Sequence, residues 1–499
     1  MLVLGGERGS GRWILALVLW VACAGSSALP SHREQRQKLL LVSFDGFRWN
    51  YDQDVDTPNL DHLRTIGVAA RHMVPPFVTI TSPSHYTLVT GKHIESHGAV
   101  HNQFYNVDPW AKQGYHEAQK RSEWWNETLP IWISAQKQGL KTGSLHFPGG
   151  AATYEGQTVY RSLLEESSYN YSNETEWRLN VDTVVDWFVL DQLDFVALYF
   201  GEPDSAGHKF GPDSEERQEK VRQVDRTVGY LLRSMEERGL TGNMNVIITS
   251  DHGMTPTQKA PAVEEIVLSK FINFKKDVKL AIVDYGPFAM IQPKQGREEA
   301  VYQALKGAHP KLNVYRKDEF PERFRYREHR RLLPIMMYGD LGYVVNGRMI
   351  FQLNKGEHGF DNAESDMWTI FRAFGPRFRQ GYAAEPFASV HVYALMCELL
   401  GVQPEPHNGS LDVTRDMLVD SQSATPANVT TWASSPATTT TKADSVGDGG
   451  DGAEATWLET TPSTPSANGV REQRGMRLMG RARGARKRNS QSTVGIGGM

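Results

Sequence analysis

The sequence predicts an α/β fold with a mostly parallel central sheet and helices on both faces. Three observations predict it. Lys38–Phe44, Phe195–Phe200 and Val246–Ser250 are short apolar runs without polar alternation, the pattern of strands covered on both faces. A strongly periodic helix separates the last two, so the chain there runs strand, helix, strand, the order of a right-handed parallel crossover. Each of the three runs also ends at, or just before, an aspartate: Asp45, Asp204 and Asp251. In open α/β sheets, ligands bind beyond the carboxyl ends of the strands.

The chain opens with Arg8 and Arg12, an apolar run from Trp13 to Ala24, and the small residues Gly25-Ser-Ser-Ala28. That is the pattern of a signal peptide over residues 1–28, with an apolar run too short to span a bilayer. Sequons at Asn126, Asn170, Asn173, Asn408 and Asn428 suit a glycoprotein of the secretory pathway, extracellular or at the cell surface. Cleavage would remove Cys23 and leave Cys397 as the remaining thiol, expected to be buried on a helix over Val390–Leu400. With two cysteines in 499 residues, a disulfide framework and a Cys-rich zinc module are excluded, so any metal is held by Asp and His. A net charge of −4 gives no general attraction to nucleic acid.

Residues 38–419 carry the pattern of one folded catalytic domain. Within it, Val221, Val224, Val228, Leu231, Leu232 and Met235 fall on one helical stripe, which Asp213 or Ser214 can cap and Gly239 can stop. Leu332–Tyr338 reads as a buried strand. From residue 420 to 499 the composition turns to Ser, Thr, Pro, Ala and Gly and ends in a basic cluster, so a disordered tail is expected. No apolar stretch that would make a C-terminal membrane anchor is visible in it.

The chemistry lies in the loops after the strands. Asp204 and His208 share one loop, Asp251 and His252 are adjacent, and His358 sits between glycines in Gly356-Glu-His-Gly359. Oxygen and nitrogen donors without thiolate suit zinc in a hydrolytic site better than manganese or iron. Any one of these histidines alone reads as an ordinary hydrogen-bonded side chain; beside the aspartates, His358 reads as a ligand. In Thr79-Ile-Thr-Ser-Pro-Ser-His85, Pro83 is placed as the first residue of a helix to about Thr90, leaving Thr81 and Ser82 at an anion-favouring N-terminus. A Thr81 hydroxyl touching a metal is a candidate nucleophile for phosphorus, although local sequence alone reads it as an N-cap. Asn102 is a candidate donor to a phosphoryl oxygen, and by itself reads as a loop amide.

Six motifs in order resemble the ectonucleotide pyrophosphatase/phosphodiesterase family of the alkaline phosphatase superfamily. They are Leu40–Phe47, Thr79–His85, Thr90–Gly98, Gly201–His208, Thr249–Met254 and Gly356–Gly359. The stretches Phe44–Leu60, Arg222–Tyr230 and Gly356–Asn362 are most similar to the family's sphingomyelin-cleaving branch. The resemblance implies an alkaline phosphatase-like fold with two zinc ions at the carboxyl ends of the strands. Asp204, His208 and His358 would hold one; Asp45, Asp251, His252 and the Thr81 hydroxyl would hold the other. Asn102 and the Thr81 backbone N–H would bind a phosphoryl oxygen.

The implied reaction is of the phospholipase C type. Sphingomyelin in micelles or a membrane surface would yield ceramide and phosphocholine through a Thr81 phospho-intermediate. Lyso-phosphatidylcholine and platelet-activating factor are further implied substrates, and glycerophosphocholine or a nucleotide diester is the same-family alternative. Tyr171 is the best match for a choline-facing aromatic, with Phe147 and Trp125 as weaker candidates. The chain departs from the pattern at Ser84, where Cys is expected, at Phe147, where Tyr is expected, and at Leu280, where Phe is expected. A catalytically inactive binding ectodomain would show damaged ligands, and the ligands are present. A sulfatase would need a different nucleophile motif.

Overall fold

The computed structural model describes residues 37–350 and 353–419. The signal segment 1–28, the tail from residue 420 and the sequon at Asn428 lie outside the described residues. Strands of the two principal sheets are numbered along the chain. They are β1 (Lys38–Phe44), β2 (Gly67–Ala70), β3 (Thr142–Leu145), β4 (Arg161–Leu163), β5 (Phe195–Phe200) and β6 (Met244–Thr249). They continue with β7 (Val278–Ile282), β8 (Phe288–Pro293), β9 (Leu312–Arg316), β10 (Ile335–Gly339), β11 (Phe371–Phe374) and β12 (Tyr382–Ala384). The helices that matter are α1 (Pro58–Ile66), α2 (Thr81–Thr90), α3 (Ile131–Lys137), α4 (Glu174–Val189), α5 (Asp204–Phe210), α6 (Glu215–Glu237), α7 (Glu298–Leu305) and α8 (Val392–Leu400).

The central sheet has the order β12-β2-β11-β6-β1-β5-β3-β4. Every pairing in it is parallel except those of β11, which runs antiparallel to β6 and β2. Successive residues of a strand point to opposite faces, and β1 shows what each face meets. Leu39 and Leu41 join one buried cluster with Leu88 and Val89 of α2, Ile131 and Trp132 of α3, and Leu395 and Leu399 of α8. Leu40, Val42 and Phe44 join another with Leu60 and Leu63 of α1, Trp177, Val181 and Val184 of α4, and the α6 stripe. Both faces of the strand are therefore covered, which is why its sequence shows no alternation.

Helix α6 follows the reading of its sequence closely. Val221, Val224, Val228, Leu231, Leu232 and Met235 are all buried, each worth roughly 1.5–3 kcal/mol relative to exposure. Of the two candidate caps it is Ser214 that acts, its side chain accepting from Arg217 N, while Gly239 beyond the helix takes φ +68°. Cys397 is buried on α8, and burial pushes its thiol up to about 12. Leu332–Tyr338 proves to be the approach to, and body of, β10, part of an antiparallel sheet ordered β7-β8-β10-β9. Phe288, Met290 and Met336 of that sheet pack into the same cluster as α2, while Ala289, Ile291, Ile335 and Met337 face Val301 and Leu305 of α7. This second sheet thereby presses on the helix that carries Thr81.

Candidate active site

Strands β6, β1 and β5 are neighbours, and their registers pair Ser43 with both Tyr199 and Thr249. Their carboxyl ends are therefore level, and the aspartate beyond each one enters the same space. Gly46, at φ +67°, makes the approach possible: a Cβ there would lie 2.8 Å from Asp204 Cα and Cβ. Gly46 N donates to Asp251 Oδ1 at 3.1 Å, and Asp204 N donates to the Asp45 carbonyl at 3.0 Å. Tyr199 Oη donates to Asp45 Oδ2 at 2.5 Å. Each carboxylate keeps one inward oxygen. Asp45 Oδ1, Asp204 Oδ1 and Asp251 Oδ2 are buried and have no hydrogen-bond partner among the described residues.

The histidines close on those oxygens. His252 Nε2 lies 3.2 Å from Asp45 Oδ1 and 3.0 Å from Asp251 Oδ2. His208 Nε2 and His358 Nε2 lie 3.4 and 3.6 Å from Asp204 Oδ1. In all three rings Nδ1 faces a carbonyl: Gly356 O at 2.9 Å for His208, Gly253 O at 2.9 Å for His252, and Thr79 O at 2.8 Å for His358. A carbonyl only accepts, so Nδ1 carries the hydrogen and the Nε2 lone pair is left for a cation. Asp204, His208 and His358 form one group able to hold a metal ion, and Asp45, Asp204 and His252 form another. Asp204 thus belongs to both groups, where sequence reading had assigned it to one. Orphaned carboxylate oxygens and oriented imidazoles fit a divalent metal, and the donor set is one that zinc accepts.

The electrostatics agree. Burial, followed by the charges of Asp251 and Asp204, raises the Asp45 carboxyl well above its ordinary range. Burial also opposes ionisation of Asp251, but the imidazoles of His252 and His85 outweigh it and hold its pKa low. His252 and His208 rise despite burial, through Asp251 and Asp204 respectively. His358 falls, through burial and then the charges of His252 and His208. A divalent cation would neutralise the repulsion that drives these opposed shifts.

Helix α2 begins at Thr81, two residues before the expected Pro83, with extended Ile80 as its cap residue. The helix is buried along its whole length. Thr81 Oγ1 stands 3.4 Å from His252 Nε2. His85, one turn on, holds the first turn: Nδ1 donates to the Thr81 carbonyl and Nε2 meets Ser43 Oγ of β1, each at 2.8 Å. Asn102 Oδ1 accepts from Ser82 N at 2.7 Å, and its Nδ2 donates to Tyr285 Oη at 2.9 Å. The amide is thereby oriented at the helix N-terminus, with a second Nδ2 hydrogen to give.

These groups floor a cavity of about 340 Å³. Asp45, Thr81, Asn102, Asp204, His208 and His358 line it, and Asp251 and His252 are buried beside them. Tyr171 lines it too, as expected. Phe147 does not: its ring is buried edge-on to His85, with centroids 5.0 Å apart, and also meets Trp132. Trp125 is likewise core, packed on Tyr86 with its indole N–H on the Ala118 carbonyl. Both are removed from the choline-facing set, because a matched position in a motif does not fix the direction of a side chain. Ser84 is buried in α2, and Leu280, on β7, lines a separate cavity. Sequence reading missed Tyr115, Tyr199, Tyr285 and Glu357, which line the same cavity from separate elements, Tyr115 from the start of a short helix. Asn126, Asn170 and Asn408 are exposed; Asn173 is partly buried, capping α4 by accepting from Thr175 N.

Comparison with known proteins agrees with this geometry. The profile of the family described as type I phosphodiesterase / nucleotide pyrophosphatase matches residues 39–361. Ectonucleotide pyrophosphatase/phosphodiesterase family member 7 of Rattus norvegicus is 55% identical over 406 residues, covering 81% of this chain and 92% of the relative. The Homo sapiens protein of the same name is 56% identical over 410 residues, covering 81% and 89%. Among solved structures, murine ectonucleotide pyrophosphatase/phosphodiesterase 5, as an inactive variant in complex with AMP, superposes with a TM-score of 0.72. It is 35% identical, over 77% of this chain and 100% of that one. The human counterpart gives the same TM-score at 34% identity, with the same coverage.

Proposed function

Because this chain belongs to the type I phosphodiesterase / nucleotide pyrophosphatase family and is a phosphoric diester hydrolase, we propose that it cleaves sphingomyelin into ceramide and phosphocholine with two bound zinc ions. The observation that carries the head-group reading is the charge of the cavity wall. Among the described residues that line it there is no lysine or arginine; besides the candidate metal ligands it offers Tyr115, Tyr169, Tyr171 and Tyr285 together with Glu166 and Glu357. An aromatic and acidic wall suits a quaternary ammonium, and oriented Asp and His donors suit cations that meet a phosphate. A zwitterion with its two charges on one short head group matches both ends.

Asp204, His208 and His358 would hold one zinc, and Asp45, Asp251, His252 and Thr81 Oγ1 the other, with Asp204 a member of both donor groups. When bound, the zinc ions would lower the pKa of coordinated hydroxyl groups and neutralise charge on the phosphoryl oxygens. Helix α2 presents Thr81 Oγ1 to the phosphorus; the hydroxyl gives up its proton to solvent, and the P–Oγ bond forms as the P–O bond to ceramide breaks. Ceramide takes up a proton from solvent and leaves as its primary alcohol, and the phosphocholine is held on Thr81. Asn102 gives its second Nδ2 hydrogen to a non-bridging oxygen through both displacements. Water then gives up a proton and attacks phosphorus, the P–Oγ bond breaks, Thr81 Oγ1 regains a proton, and phosphocholine leaves with overall retention.

The substrate is met in a micelle or membrane surface, and the signal pattern directs the chain to the secretory pathway. No helix among the described residues is long and apolar enough to cross a membrane. The test is phosphocholine release from sphingomyelin micelles beside hydrolysis of p-nitrophenyl-TMP, with a Thr81→Ala control and a chelator. Chelator-sensitive phosphocholine release that Thr81→Ala abolishes, with little nucleotide cleavage, is the expected outcome. Dominant nucleotide cleavage would overturn the substrate.

A further inference from the structure

Behind the cavity wall lies a carboxylate that the reaction does not use. Glu165 is 5% exposed, and Tyr171 Oη donates to its Oε1. No lysine, arginine or histidine pairs with it among the described residues. Its one side-chain hydrogen bond is to Tyr171, and the other ionisable groups that feel its charge are phenols: Tyr169 from its own loop, Tyr115, and Tyr199 of β5. Burying an unpaired carboxylate is costly; the buried Asp52, by contrast, is paired with Arg372 and Arg64.

Tyr171 is held around this contact. Lys220 Nζ and Gln223 Nε2 of α6 donate to its carbonyl at 3.2 and 3.3 Å. Under its ring is Gly201, where a Cβ would lie 2.4 Å from Tyr171 Cζ. The ring is thus clamped between the cavity and a buried negative charge. A phenol that donates to a carboxylate carries more electron density on its ring face, which strengthens its attraction for a cation.

We propose that Glu165 is the counter-charge for the cationic head group, a positioning and specificity residue that acts through Tyr171. This rests on the choline reading above and deepens it: the cavity is completed by the substrate's own positive charge. Burial pushes the Glu165 carboxyl up to about 7, so it is ionised in assays run above about pH 8.

Glu165→Gln keeps an acceptor for Tyr171 and removes the charge. The test compares p-nitrophenylphosphorylcholine with the p-nitrophenyl phosphodiester of 3,3-dimethylbutanol, which has the same shape without the charge. In the wild type, kcat/KM favours the choline ester. In Glu165→Gln that preference falls about tenfold, almost wholly through KM for the choline ester, and Glu165→Asp restores part of it. An unchanged preference in Glu165→Gln overturns the proposal while leaving the choline reading intact. A wild type with no preference overturns both. If Glu165→Gln loses both substrates equally, Tyr171→Phe decides, since it keeps the ring and cuts the link to Glu165. A loss there confined to the choline ester, about threefold, supports the proposal, and no such loss overturns it.

Discussion

Gly201→Ala tests the placement of the tyrosine wall with one methyl group. The backbone at Gly201 is outside the left-handed region, so alanine meets no conformational strain there. Its Cβ would stand 2.4, 2.5 and 2.6 Å from Cζ, Cε1 and Oη of Tyr171, where ordinary contact begins at 3.4 Å. The ring must therefore retreat by about 1 Å. It cannot do so freely, because Glu165 holds the hydroxyl and Lys220 and Gln223 hold the carbonyl. A cation–aromatic contact of about 1–2 kcal/mol is lost, which corresponds to roughly 5- to 30-fold in affinity. KM for p-nitrophenylphosphorylcholine should rise about tenfold with kcat within about threefold, while bis(p-nitrophenyl) phosphate, which has no cation, changes by less than about threefold. An unchanged KM for the choline ester refutes the reasoning. So does an equal loss on both substrates, which would mean that the methyl group acts on Asp204 and not on the tyrosine.

Removing metal with a chelator should lower the unfolding temperature by about 5 °C or more, since each site bound at a thousandfold over its Kd stabilises by about 4 kcal/mol; calorimetry with and without zinc measures it. Glu165→Gln should be more stable than wild type at pH 8 by up to about 3 kcal/mol, and equal to it near pH 4. The sign follows from the raised carboxyl: no charge is buried while it is protonated, and stability is lost as pH rises from about 4.5 through about 7, a loss that glutamine escapes. Urea titrations at the two pH values check it. Arg372→Met should destabilise the domain by about 3 kcal/mol, because it strips a buried partner from fully buried Asp52; urea denaturation reads the change.

The parts of the fold that sequence revealed are those whose signal is local. Strands β1, β5 and β6 are contiguous apolar runs covered on both faces, and the α6 stripe has the helical period, so residues within one element specify each. The candidate ligands Asp45, Asp204, His208, Asp251 and His252 follow from the same strands, because the carboxyl end of a parallel strand is a place that sequence can locate. What it could not give is convergence between distant segments. Tyr115, Tyr199 and Tyr285 come to one cavity from a helix, a strand and a loop far apart in sequence, and none stands in a motif. Phe147 and Trp125 show the converse error: each was matched by position, and packing turned each ring into the core. The antiparallel course of β11 likewise depends on where the chain returns from the second sheet, which no property of Phe371–Phe374 records.

The three ring locks described above have a consequence for how the centre is filled. The carbonyls of Thr79, Gly253 and Gly356 set the tilt of His358, His252 and His208. The protein's own backbone therefore fixes the ligand directions, and the ion is not needed to gather them. The proposed centre is in that sense a mould set by the backbone, into which divalent ions of like radius would fit without rebuilding the walls. Cobalt in place of the proposed zinc would then serve as a coloured reporter of the coordination.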